Sequence, residues 1–147
     1  MKRLSVLLVL VWLPFVSIFG FASPALTEEV GDSYPHMAFH VFSPLLLGGA
    51  FVNARGLHRE AGTRLQRGLL RGLTVTLPLA VLGNLAELGT AVARFAGDDW
   101  ESRATPDVFE ESGPHLWASN LTIPTLMASM LLVLALLVAH AVQSRRG

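Results

Sequence analysis

Leu116–Val142 reads LWASNLTIPTLMASMLLVLALLVAHAV, and from Met127 onward it is almost uninterrupted aliphatic side chain. A helix needs about 20 residues, at roughly 1.5 Å of rise each, to cross the hydrocarbon core of a bilayer. This stretch meets that length. A strand would need alternating polarity and closure into a barrel, and no such alternation is present. Three similar stretches lie upstream. Leu4–Ala22 (LSVLLVLVWLPFVSIFGFA) is broken only by Pro14. Met37–Ala54 (MAFHVFSPLLLGGAFVNA) carries His40, Ser43 and Asn53. Gly72–Phe95 (GLTVTLPLAVLGNLAELGTAVARF) is interrupted by Asn84, Glu87 and Arg94. The expectation is an all-α integral membrane protein, a bundle of four transmembrane helices in one membrane domain over residues 1–147. The helices are expected at about 4–22, 36–54, 72–95 and 116–142.

The composition agrees. Of 147 residues, 52% are hydrophobic and 15% charged, against roughly 25% charged in an average soluble domain. Cysteine is absent, and 11 basic residues balance 11 acidic ones. Such a chain is neither disordered nor a disulfide scaffold. It has no cysteine-ligated metal site, and it lacks the bulk positive charge that nucleic-acid binding uses. Only Lys2 is a lysine, and the arginine bias points to a GC-rich, prokaryotic genome.

Resolved along the chain, the neutral total is a sum of opposed clusters. Lys2 and Arg3 precede the first span, Arg55, Arg59, Arg64, Arg67 and Arg71 lie between the second and third, and Arg145 and Arg146 follow the fourth. Glu28, Glu29 and Asp32 lie between spans one and two; Asp98, Asp99, Glu101, Asp107, Glu110 and Glu111 lie between three and four. Basic segments stay on the cytoplasmic side. The expected topology therefore has both termini and the 55–71 loop inside, and the acidic loops 23–35 and 96–115 outside, in the cytoplasmic membrane. Tyr34, Trp100 and Trp117 fall where interfacial aromatics are expected. The first span has an alternative as a cleaved signal peptide, with Gly20, Ala22, Ser23 and Ala25 near its end, which would leave three helices. Its long apolar run favours a retained helix.

The arginines of the 55–71 loop recur at three- and four-residue spacing, so on a helix much of the charge shares one side with Leu57, Leu65, Leu69 and Leu70 nearby. Arg55, Arg59, Arg64, Arg67 and Arg71 read as contacts for anionic lipid headgroups, or as determinants of topology alone.

Ionisable groups inside a span are costly and mark functional sites. Here they collect on the outer side. His36 and His40 lie one turn apart on span two, with Ser43 continuing the face inward. Asn84 and Glu87 share a face of span three, and span four brings His115 and Asn120. Imidazole and carboxylate are ligands for copper, zinc or iron, so His36, His40, Glu87 and His115 form a candidate metal set. His40 and His115 could alternatively hold a b-type haem between them. Ser43, Asn84 and Asn120 would complete the pocket. The structural alternative is a hydrogen bond between Glu87 and His40 with no ligand. Gly48, Gly49, Gly83, Ala86, Gly89 and Ala93 permit close helix approach. No phosphate loop, nucleophile elbow or HExxH motif is present, so no catalytic residue is assigned.

Two functions follow as expectations. One is a small polytopic protein whose outer pocket binds a metal ion, haem or small ligand for redox, sensing or transport. The other is a non-catalytic accessory subunit of a larger membrane complex, with other subunits or a second copy of itself as partner.

Overall fold

The structure is a computed structural model that describes residues 2–21, 33–96 and 113–145. It is all-helical: α1 (Lys2–Phe21), α2 (Ser33–Glu60), α3 (Arg64–Ala96) and α4 (Gly113–Ser144), with no strand among the described residues. The acidic segments and Trp100 lie outside the described residues. Both α3, over Arg64–Ala93, and α4 are long and apolar enough to cross a membrane.

The helices run past the apolar stretches that mark them in the sequence. What reads as a loop over 55–71 is mostly helix, with only residues 61–63 outside α2 and α3. Apolar periodicity reports the buried or lipid-facing part of a helix. Arginine and leucine are good helix formers and carry the backbone ladder beyond it. A capping box stops α2 and starts α3. The Thr63 hydroxyl accepts from the Gln66 N–H at 3.1 Å, while Gln66 Oε1 accepts from the N–H groups of Thr63 at 3.3 Å and Gly62 at 3.2 Å. The helix-start donors that would otherwise be orphaned are thereby satisfied within the turn itself. Gln66 Nε2 donates to Gln143 Oε1 at 2.8 Å, which ties this turn to the end of α4.

So short a turn makes α2 and α3 antiparallel. The α3–α4 pair is antiparallel too, since Gly83 faces Thr122 while Thr76 is hydrogen-bonded to Ser129 at 2.7 Å. Seven residues back on one helix match seven forward on the other, the step at which two helices keep the same faces together. Asn53 Nδ2 donates to the Arg3 carbonyl at 2.8 Å, and Arg3 pairs with Glu60, so α1 runs against α2. The result is an up-down-up-down bundle. The α3–α4 and α2–α3 contacts are the most extensive, and α1 closes the ring against α2 and α4.

Burial divides the bundle along its length. Toward the Gln66–Gln143 end the interior is aliphatic, built from Leu7, Val11, Leu47, Leu70, Leu73, Leu77, Val133 and Leu136. Toward the other end the buried residues include His40, Ser43, Asn84, Glu87, His115 and Thr122. The outside is apolar on all four helices, with Val16, Leu45, Val75 and Leu131 among the exposed side chains. Large contiguous apolar surfaces mark faces that meet a membrane or another protein.

Close approach of α3 and α4 depends on one glycine. A Cβ at Gly83 would collide with the Thr122 hydroxyl and lie 2.9 Å from the Thr122 backbone nitrogen. The small-residue pair Gly89 and Ala93, by contrast, faces outward, and nothing stands within 4 Å of a Cβ at Gly89. Gly83→Ala is therefore expected to destabilise the protein by about 1–3 kcal/mol, the usual cost of overpacking. Gly89→Ala is expected to leave stability unchanged or slightly raised. Unfolding of both variants in detergent micelles measures the difference.

Candidate functional site

Three helices converge on the Glu87 carboxyl group. His40 of α2 places Nε2 at 3.1 Å from Glu87 Oε2, and His115 of α4 places Nδ1 at 4.0 Å from the same oxygen. Asn84, one turn before Glu87 on α3, meets the other nitrogen of His40, with Nδ1 at 3.1 Å from Asn84 Oδ1. The Thr122 hydroxyl also lies against the carboxyl group. His40 and Glu87 are 2% and 5% exposed, and Asn84 is fully buried. Desolvation of this degree is severe for a carboxyl group unless the chain supplies its partners.

Hydrogen-bond direction can be traced inward from the backbone. Asn84 Nδ2 donates to the Ala80 carbonyl at 2.8 Å, which fixes the amide so that Oδ1 faces His40. An amide oxygen only accepts, so His40 Nδ1 must carry hydrogen. What remains between His40 Nε2 and Glu87 Oε2 is a single proton. It resides on the ring, giving imidazolium and carboxylate, or on the acid, giving imidazole and carboxylic acid. Both arrangements keep the hydrogen bond. His115 Nδ1, at 4.0 Å, approaches the same oxygen without reaching hydrogen-bond distance.

The sequence-based candidates divide as follows. His40, Asn84, Glu87 and His115 come together. Ser43 is buried one turn from His40, and its hydroxyl has no hydrogen-bond partner among the described residues. His36 belongs to α2, but its side chain lies outside the described residues. Asn120 is a correction: it is exposed, on the side of α4 away from the centre. The inward face of α4 runs His115, Ala118, Thr122, Leu126 and Ser129, and two residues of helix turn a side chain by about 200°. Thr122 takes the place expected of Asn120. Its steps of seven residues from His115 and four from Ala118 were the available signal.

The two imidazoles expected to hold a haem, His40 and His115, both approach the same Glu87 oxygen, at 3.1 and 4.0 Å. Both ring nitrogens of His40 are also engaged, so metal ligation would cost it the contact to Asn84 or to Glu87. Among the described residues no three His, Cys, Asp or Glu side chains are grouped as a metal ion requires. At the opposite end, Arg55, Arg59, Arg64, Arg67 and Arg71 are all exposed, along the last turns of α2 and the first of α3.

Fold and site together define an all-helical bundle with a buried imidazole–carboxylate–imidazole centre at one end. No known protein family, characterised protein or solved structure matches the chain.

The centre makes a distinct thermodynamic prediction. His40→Ala strands a buried carboxyl group and is expected to cost about 3–5 kcal/mol. The double variant His40→Ala, Glu87→Leu removes both members and is expected to be more stable than His40→Ala alone. A double-mutant cycle by unfolding in micelles reads this sign directly.

Proposed function

We propose that the chain is a four-span protein of the cytoplasmic membrane, and that its outer-half centre of His40, Glu87 and His115 takes up and releases protons in a sensing or transport role. The apolar exterior of every helix supports the membrane reading, and the flanking charge asymmetry supports the orientation. Both termini and the Arg55–Arg71 segment then face the cytoplasm, where the arginines meet anionic headgroups.

One observation carries the functional reading: Glu87 Oε2 is held by His40 Nε2 at 3.1 Å and approached by His115 Nδ1 at 4.0 Å, each from a different helix. A carboxyl group in hydrocarbon is expensive, and bundles that need only packing do without one. The single proton between His40 and Glu87 can pass to His115 with a small change in helix spacing. A proton shared between imidazole and carboxyl groups is the arrangement that acid–base sensing and proton relay use, and the test spans about pH 5 to 8. The orphaned Ser43 hydroxyl beside His40 offers a docking point for a water or a small polar ligand.

Infrared difference spectra of the protein in lipid vesicles across that pH range test the reading. A carboxyl band that appears or vanishes with pH, and is lost in Glu87→Gln, is expected. A band that does not change with pH would overturn the proton-exchange role and leave the chain as a structural subunit. Metal analysis of the same preparation addresses the earlier metal expectation, since a stoichiometric metal abolished by both His40→Ala and Glu87→Gln would displace the proton reading.

A further inference from the structure

A second feature lies at the other end of the bundle, between α1 and α2. An open groove of about 630 Å³ runs there, with Arg3, Arg55 and Arg59 at its rim. Its floor is Val6, Leu10, Gly49 and Val52. Gly49 and Gly56 are seven residues apart on one face of α2, and the side chains they lack are what leaves the groove empty. A Cβ at Gly49 would touch only Leu10, at 3.6 Å, and one at Gly56 only the end of the Arg3 side chain, at 3.4 Å.

The groove joins two chemistries along its length. Its rim is cationic, with Glu60 its acidic neighbour in salt bridge to Arg3. Arg55 is steadied over the Phe51 ring at 5.7 Å. Its floor is hydrocarbon and opens sideways, since Val6 is 49% and Val52 68% exposed. From Gly49 to Arg55 and Arg59 is roughly 9–15 Å along the helix. A molecule that fills this shape has an anionic head at one end and an alkyl chain beside it. A free phosphate would leave the apolar floor bare, whereas a neutral lipid would leave the guanidinium groups without a counter-charge.

We infer that this groove is a binding site for an anionic phospholipid of the inner leaflet. Arg55 and Arg59, with Arg3, hold the headgroup phosphate, and an acyl chain lies along Val6, Leu10 and Val52. The inference rests on the membrane reading above and not on the His40–Glu87 centre. It differs from a diffuse attraction between lipid and the basic segment, because Arg64, Arg67 and Arg71 have no part in it.

Native mass spectrometry of the full chain released from micelles tests it, with phosphatidylglycerol, phosphatidylcholine of the same acyl chains, and inorganic phosphate as probes. Phosphatidylglycerol is expected to be retained at least tenfold over phosphatidylcholine, and inorganic phosphate not at all. R55Q/R59Q is expected to weaken retention by about 30-fold, at roughly fivefold per arginine near the headgroups. R64Q/R67Q/R71Q is expected to keep it. Gly56→Leu, which fills the groove and keeps both arginines, is expected to lose the lipid while melting like the wild type. Equal retention of the two lipids, or equal losses in the two arginine variants, would overturn the site. So would binding of phosphate alone that R55Q/R59Q abolishes. Release of the chain from membranes by alkaline carbonate would overturn the membrane reading as well. Tight membrane association with no lipid selectivity would overturn only the site.

Discussion

A carboxyl group buried from water has to be answered by the chain itself, and the arrangement around Glu87 is that answer. The Ala80 carbonyl orients Asn84, Asn84 fixes the hydrogen on His40, and His40 presents its remaining nitrogen to Glu87. Each link removes one degree of freedom from the next. The centre is thereby pre-organised by α3's own backbone. For α2 to shift along α3 it would have to break both hydrogen bonds of one imidazole at once.

The packing serves the same end. Thr122 reaches Glu87 because Gly83 lets α4 approach α3 to backbone distance. The Ser129–Thr76 contact holds the register one heptad further along. Polar contacts of this kind between helices contribute about 1 kcal/mol or less each, so they select an alignment more than they supply stability. The aliphatic layer from Leu7 to Leu136 supplies the bulk of the packing instead. Aliphatic packing and buried polar contacts are thus segregated to opposite halves of the bundle.

Much of this was legible in the amino-acid order, and the failures have physical reasons. Helical character followed from the length of the apolar runs. Asn84 and Glu87 were identifiable because a polar residue in such a run has to be explained. The extents of α2 and α3 were not legible at their shared end, since hydrophobicity marks where a helix is buried and not where its hydrogen bonds stop. The T-R-L-Q capping box from Thr63 to Gln66 was the missed signal. Asn120 misled because its polarity outweighed its phase on α4, whereas Thr122 was in phase but chemically unassuming. Gly89 and Ala93 misled for a similar reason: small residues permit close contact without saying which face will use it, and only the α4 side chain opposite Gly83 decides that.

The three-residue turn between α2 and α3 also sets a mechanical relation between the two ends of the molecule. The turn clamps these helices at one end, and the His40–Glu87 contact lies at the other, 24 residues along α3 from Thr63 to Glu87. At about 1.5 Å per residue this is a lever of roughly 36 Å, so a change of about 3° in the helix crossing angle moves the far tips by about 2 Å. A hydrogen bond of 3.1 Å does not survive that displacement. The turn and the polar contact are thus geometrically coupled, and a small change at the closed end of the pair is magnified at its open end.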